Sequence, residues 1–443
     1  MDLRGAEVLV VGMARSGLAA VELLLDKGAV LRATDLNAPE AETAAKLARW
    51  GVEFRLQTPE VFEGAGWIVL SPGVPADLEP LAAARQRGAR VIPEVELAGC
   101  FLRGPTIGIT GSNGKTTTTA LVGHILREAG IPAQVGGNIG QPAAAMVDRS
   151  RDQQWNVLEL SSFQLETIQR FRAEIAVALN VTPDHLDRHH TFESYVAAKA
   201  RLFETQRKED FAVLNADDTT CVRYSERTPA RKSWFSIHRA VAPGAFLSGG
   251  RLFLEGDPFL EAREIPLRGL HNVENTLAAA AAARLAGAGP AAIAAAVRTF
   301  PGVEHRLEFV RRLGAVDFYN DSKATNVDAA IKALEAFDSP LWVILGGKDK
   351  DSDYTLLREL LARKARAALL IGAAAAKIAA HLEGAVPLVH CGTLEAAVRT
   401  AWRQAQPGDT VLLAPACASF DQFQNFEHRG RVFKEVVAAL EES

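Results

Sequence analysis

Short β-branched runs alternate with Ala- and Leu-rich stretches of helical spacing along the chain, and the alternation divides it into three blocks, each opening on a strand. In the first block Glu7-Val-Leu-Val-Val11 predicts a strand, Gly12-Met-Ala-Arg-Ser-Gly17 a turn, and the residues to about Lys27 a helix. A second strand near residues 30–33 leads to Asp35, so the block begins as a β-α-β unit. Further strands are predicted at 66–70 and 89–92, where Pro93 lacks a backbone donor and ends the run. A domain boundary is placed there.

The second block opens with a strand at 106–110, continues through strands at 155–160 and 175–180, and ends in an Ala-rich region over 272–299. Alanine has the highest helix propensity, and Leu277 and Leu285 flank the run 278–283, so a buried helix is predicted there and not a disordered tract. After Phe300-Pro-Gly302, strands predicted at 316–319, 341–345, 367–371, 386–389 and 410–413 alternate with helices, the pattern of a doubly wound parallel sheet. The fold class is therefore α/β in three domains. Residues 1–93 read as Rossmann-like, 94–299 as a P-loop mononucleotide-binding domain, and 300–443 as Rossmann-like and doubly wound.

Composition narrows the function classes. A chain of 443 residues exceeds one hydrophobic core, which agrees with several domains. The net charge of −4 gives no general attraction to nucleic acid or anionic lipid, so any anion site must be built locally. Cys100, Cys221, Cys391 and Cys417 are scattered without a C-x-x-C pair, which argues against a zinc cage or disulfide framework and fits a reducing cytoplasm. The N-terminus lacks the features of a signal peptide, and no uncharged apolar stretch reaches 18 residues, so no membrane insertion is expected.

Two glycine-rich loops carry candidate chemistry. Gly12, Ala14 and Gly17 follow a strand in near-Rossmann spacing, with Asp35 18 positions after Gly17. A helix N-terminus of this kind attracts any phosphate, so the loop reads as a site for a phosphorylated ligand without singling out NAD; a glycine turn that only lets helix pack on strand is the alternative. The second loop, Gly108-Ile-Thr-Gly-Ser-Asn-Gly-Lys-Thr-Thr117, is more specific. Gly111, Ser112, Asn113, Gly114, Lys115, Thr116 and Thr117 lie between strand and helix, bringing backbone N–H groups, a cation and hydroxyls to one phosphate. Ile109 stands where the strict Walker pattern has its first glycine, so the loop is a variant.

Glu159 falls at the end of a predicted strand, where a nucleotide site places a magnesium carboxylate; capping solvent is the bland alternative. The segment Asn180-Val-Thr-Pro-Asp-His-Leu-Asp-Arg-His-His190 reads equally as a metal site or a solvated loop, with zinc disfavoured. In Tyr195-Val-Ala-Ala-Lys-Ala-Arg-Leu-Phe203 spacing makes Lys199 an ordinary exposed cation. Asn272 and Asn275 stand three apart on a predicted helix, able to face a purine edge, although Asn272 could equally cap the helix.

Taken together, TGSNGKTT, LELSSFQLE, DHLDRH, YVAAKARLF, HNVEN, EHR, YNDSKATN and LGGKDK resemble the Mur ligases of bacterial cell-wall synthesis over nearly the whole chain. The stretch from Ala414 to Gly430 resembles the D-glutamate-adding branch, and no D-N-P-R motif of the diaminopimelate-adding branch is present. The resemblance implies an ATP-dependent amide ligase with two magnesium ions, acting through an acyl phosphate on UDP-N-acetylmuramoyl-L-alanine and D-glutamate. It implies a cytoplasmic monomer. Lys115, Glu159, His185 and Lys199 are implied as the catalytic set, with Thr116, Glu159, His185 and a carbamylated Lys199 at the metal. Asn272, Asn275, Arg306 and Asp321 join the phosphate loop around ATP. Gly12, Ser16, Gly17, Asp35, Ser71, Gly73 and Asn138 are implied for the UDP-sugar, and Lys323, Thr325, Lys350, Ser419, Phe420 and Phe426 for D-glutamate.

Three other readings remain open on sequence. A folylpolyglutamate synthetase shares the nucleotide domain but generally lacks a separate N-terminal UDP-binding module. An NAD-dependent dehydrogenase would use only the first loop, and an ATP-driven switch would hydrolyse nucleotide without an acceptor.

Overall fold

From Val8 onward the strand Glu7–Val11 is buried, as expected of a strand covered on both faces of a parallel sheet. In the computed structural model, which describes residues 2–338 and 340–441, it is the middle of five parallel strands. Their order is Glu53–Leu56, Val30–Asp35, Glu7–Val11, Trp67–Leu70, Arg90–Pro93. The connections change direction between Glu7–Val11 and Trp67–Leu70, which opens a crevice at the carboxyl ends of those two strands. Helix Arg15–Asp26 starts there. Pro93 is the last residue of its strand, and helix Glu94–Gly99 follows directly with five buried residues, so an open linker is absent at this boundary.

A second sheet is parallel in its larger part, with Thr106–Thr110 between Trp155–Glu159 and Ile175–Ala178. Its far edge departs from the sequence reading. Gly244–Ser248, Arg251–Leu254 and Asp257–Glu261 form antiparallel hairpins, turned at Gly249-Gly250 and Glu255-Gly256, all four with positive φ. Two-residue turns of that hand match the twist of the flanking strands. The Ala-rich region forms two helices, Leu270–Leu285 and Pro290–Thr299.

The third sheet is parallel as the alternation predicts, except for one antiparallel edge strand that the sequence reading did not include. Glu308–Leu313 pairs antiparallel with Val316–Asn320 through a turn in which Gly314 and Ala315 have φ of 51° and 62°. Beyond it Val316–Asn320, Thr410–Leu413, Leu341–Gly346, Ala365–Ile371 and Leu388–Gly392 run parallel in that order. The fourth of the predicted strands of this block is shifted, since Val386 lies before Leu388–Gly392.

Two compact units result: the chain up to Ala262 with Asn275–Arg298, and Arg263–Glu274 with the chain from Thr299. The first holds both glycine-loop sheets, joined by a continuous core that includes Val21, Val95, Met146 and Phe171. Among the described residues no helix is long and apolar enough to cross a membrane.

Candidate active site

The phosphate loop is built by three adjacent parallel strands whose carboxyl ends stop together. Gly111 follows Thr106–Thr110, Glu159 closes Trp155–Glu159, and Asn180 lies two residues past Ile175–Ala178. The neighbouring strand braces the loop. Asn113 N donates to Asn180 Oδ1 at 2.8 Å, Ser112 N to Asn180 O at 2.9 Å, and Ser112 Oγ to Thr182 O at 2.9 Å. Gly114 has φ of 82° at the start of helix Lys115–Glu128, and a Cβ there would lie 2.2 Å from Asn275 Oδ1. Both restrictions demand glycine.

Two ammonium groups meet on one carbonyl. Lys115 Nζ donates to Gly111 O at 2.8 Å and Ser112 O at 2.7 Å, and Lys199 Nζ donates to Gly111 O at 2.8 Å. Lys199 is only 1% exposed, on helix Phe192–Glu204, so the exposed cation expected from spacing is overturned. Helical spacing reported only that one face was apolar; Tyr195, Ala198 and Leu202 enclose that face, and the lysine points with them. Burial first, then the neighbouring Lys115 charge, hold its ammonium well below the usual lysine range, and Asp184 and Glu159 offset part of this.

Glu159 is also buried and does not cap solvent. Its Oε1 accepts from Asn138 Nδ2 at 2.9 Å, and its Oε2 is buried without a partner. A hard carboxylate oxygen left unsatisfied beside a phosphate loop fits a magnesium ligand. The acidic and histidine-rich segment around it divides. His185, with φ of 54°, lies edge-on to Phe163 at 4.9 Å, beside Asp184. His189 instead pairs with Ser162 at 2.9 Å, Arg188 Nη2 donates to Glu166 at 2.8 Å and to Val74 O at 2.9 Å, and His190 meets Asp77. Thr182, at the beginning of the segment, touches the phosphate loop, whereas Arg188 and His190 reach Val74 and Asp77 beyond the first sheet and His189 stays against Ser162 of the second.

The crevice of the first sheet is a cavity of about 510 Å³. Gly12, Ser16, Asp35, Ser71, Gly73 and Asn138, six of the candidate residues for the phosphorylated ligand, line it together. Gly17 does not. A Cβ there would lie 1.7 Å from Gly12 O, so this glycine permits helix and loop to touch behind the cavity. Asp35 Oδ2 accepts from Met13 N at 2.6 Å and Ser71 Oγ donates to Gly12 O at 2.7 Å, fixing the loop. Arg15, Gln57 and Gln164 also line it and were not anticipated. Arg15 opens the helix after the glycine turn, which was a legible signal; Gln57 and Gln164 come from distant segments and carry none.

In the second unit Asn272 and Arg306 line a pocket of about 400 Å³. Arg306 Nη1 stands 3.5 Å from Asp321 Oδ1. Burial raises the Asp321 carboxyl, and Arg306 opposes that shift. Asn275 belongs to the first unit, where its Oδ1 is 3.4 Å from Thr118 Oγ1 of the helix that follows the phosphate loop. The residues expected around an amino acid sit at the carboxyl ends of three neighbouring strands of the third sheet. Lys323 and Thr325 follow Val316–Asn320, Ser419 and Phe420 follow Thr410–Leu413, and Lys350 follows Leu341–Gly346. Lys323 Nζ lies 4.6 Å from the Phe426 ring centre, and Lys348 exchanges backbone hydrogen bonds with Ala418. Among the described residues the one cluster of three close histidine, cysteine or carboxylate ligand atoms is Glu304, His305 and Glu308, which does not include Glu159, and Lys434 Nζ already bridges both its glutamates at 2.6 and 3.0 Å.

Comparison with known proteins gives a consistent result over the full length. The MurD-like N-terminal domain of Mur ligases matches residues 6–93, the Mur ligase middle domain 109–283, and the Mur ligase glutamate ligase domain 305–417. A protein of Solibacter usitatus named UDP-N-acetylmuramoylalanine–D-glutamate ligase is 64% identical, with 100% of this chain and 99% of that one covered. One of the same name from Acidobacterium capsulatum is 54% identical over 99% and 97%. Among solved structures, the UDP-N-acetylmuramate–alanine ligase of Thermotoga maritima superposes with a TM-score of 0.63 at 18% identity, covering 98% of this chain and 99% of that one. A pseudomurein peptide ligase of Methanothermus fervidus gives 0.64 at 19%, covering 99% and 100%. The last two likenesses concern the fold.

Proposed function

The chain belongs to the Mur ligase family, and from that premise we propose that it joins D-glutamate to UDP-N-acetylmuramoyl-L-alanine, converting ATP to ADP and phosphate. The observation that carries the reading is Asn138, which lines the first cavity while its amide donates to Glu159 beside the phosphate loop. A ligand in that cavity thus leads towards the place where a γ-phosphate is cradled.

The UDP-sugar occupies the first cavity, where backbone N–H groups at the start of helix Arg15–Asp26 and the Arg15 side chain receive its diphosphate. A donor carboxylate oxygen attacks the γ-phosphorus of ATP, the bond to the bridging oxygen breaks, and ADP leaves. Lys115 and the loop N–H groups of residues 111–117 neutralise the charge that develops on the transferred phosphoryl group. The D-glutamate amine then attacks the acyl carbon, loses a proton, and expels phosphate. Lys323, Thr325, Lys350, Ser419, Phe420 and Phe426 present the acceptor, and the pocket at Asn272 and Arg306, with Asp321 beside it, takes the adenosine.

Magnesium, when bound, supplies charge neutralisation for the phosphoryl oxygens. Glu159, Thr116, His185 and a carbamylated Lys199 are its proposed holders, for two ions. Lys199 fits that modification because burial and the Lys115 charge lower its proton affinity, which favours the amine form whose lone pair can react. Its nitrogen attacks the carbon of carbon dioxide and loses a proton, and the resulting carbamate adds oxygen donors that suit magnesium. The enzyme is proposed to work in the cytoplasm as a monomer. Replacing Lys199→Ala or Glu159→Gln is expected to lower kcat by about 10²–10³-fold, the scale of losing one organised charge at a transition state, with UDP-sugar affinity retained. Full activity of Lys199→Ala, or indifference of the wild type to added bicarbonate after decarbonation, would refute the role given to this lysine.

A further inference from the structure

We propose that Arg429 is a positioning residue for the acceptor amino acid, its one buried guanidinium holding in register the three loops that carry Lys323, Lys350 and Ser419. This deepens the functional reading above and rests on it. Arg429 lies in the first turn of helix Phe426–Ala438 and is 0% exposed. Nε donates to Ser322 Oγ at 3.0 Å, Nη2 to Ser322 O at 2.8 Å and Cys417 O at 3.2 Å, and Nη1 to Ala418 O at 3.4 Å and Gly346 O at 3.5 Å. A guanidinium has five N–H donors, and each has an acceptor here.

Ser322 lies in the loop after Val316–Asn320, Cys417 and Ala418 in the loop after Thr410–Leu413, and Gly346 closes the strand Leu341–Gly346 at the point where the loop carrying Lys350 begins. In sequence they are next to, or within four residues of, Lys323, Ser419 and Lys350. Ser322 Oγ also donates to Phe426 O at 2.8 Å, which ties the aromatic ring under Lys323 to the same node. Among the described residues no carboxylate lies within ion-pair distance of Arg429. A fully buried cation is costly, and an apolar residue would pack a core at less expense. Its positive charge, held by carbonyl and hydroxyl oxygens with Asp421 acting on it only at longer range, instead stands behind loops that must receive a dicarboxylate. Lysine could keep the charge but not the planar fork that reaches three loops at once.

The test compares the purified full chain with Arg429→Lys and, separately, Ser322→Ala, which removes one acceptor and the link to Phe426 while leaving the guanidinium in place. Phosphate release is measured with each substrate varied in turn, and acyl phosphate formed without D-glutamate is trapped with hydroxylamine. Arg429→Lys should raise the D-glutamate KM by about tenfold or more, the cost of misaligning an interaction worth roughly one charged hydrogen bond. Trapped acyl phosphate and the KM for ATP and UDP-sugar should change less than threefold, and Ser322→Ala should shift the D-glutamate KM in the same direction by a smaller factor. An unchanged D-glutamate KM in Arg429→Lys, or an equal rise for all three substrates, would overturn the positioning role. If Arg429→Lys does not fold, an unchanged D-glutamate KM in Ser322→Ala overturns it alone. Failure of the wild type to use D-glutamate would instead refute the functional reading.

Discussion

Glu94 carries a carboxyl that is 1% exposed, with Oε1 accepting from Ala144 N at 2.6 Å and Oε2 buried without a partner. Burial pushes it up from 4.5 to about 7. A carboxyl raised on folding contributes stability that is fully present below its unfolded value and is lost as pH rises through about 7, because unfolding then releases a proton. At about 1.4 kcal/mol per pH unit the loss is on the order of 3 kcal/mol. Glu94→Gln should therefore flatten the pH dependence of the unfolding midpoint between pH 5 and pH 8, and an unaltered slope would show that Glu94 is not its source. Neither this group nor Lys199 revealed its environment in the sequence. A glutamate after Pro93 looks like a helix start, and a lysine in YVAAKARLF like an exposed charge, because residue type reports chemistry while burial is decided by segments far along the chain. Glu159 was more legible, since a strand end beside a phosphate loop constrains what an acid can do there.

The two glycine loops differ as elements in how their glycines are used. In the phosphate loop Gly114 answers a backbone demand, a φ of 82°. In the first loop Gly17 answers a demand of space, with Gly12 O 1.7 Å from where a Cβ would stand. Gly17→Ala should therefore push helix Arg15–Asp26 off the loop and raise the UDP-sugar KM by about tenfold or more, a loss of at least about 1.4 kcal/mol. The KM for D-glutamate should stay within twofold. An unchanged UDP-sugar KM would mean that the helix start does not shape this cavity. Parallel strands were readable because buried runs such as Val8–Val11 are continuous and β-branched. The antiparallel edges were missed although Gly249-Gly250 and Glu255-Gly256 are two-residue turn signals between apolar runs. Gly314-Ala315 gave less warning, since an alanine at φ of 62° is rare.

At the scale of the whole molecule, three α/β sheets each place candidate site residues at the carboxyl ends of their parallel strands, a consequence of where such sheets leave crevices. That rule, with the motifs, made the fold readable and says where each candidate site is to be sought. It did not disclose Arg429, whose acceptors lie on one nearby segment, 11 and 12 residues before it, and on two distant ones, 83 and 107 residues away, and whose motif position resembles an ordinary helix start. The account stands on the coupling of ATP, UDP-sugar and one chosen amino acid. Its most direct test is initial-rate phosphate release by the purified chain with ATP, magnesium and UDP-N-acetylmuramoyl-L-alanine, as D-glutamate, diaminopimelate or lysine is added. The account predicts rapid release with D-glutamate alone and one amide product per phosphate; equal release with diaminopimelate or lysine, or undiminished release with no amino acid, would contradict it.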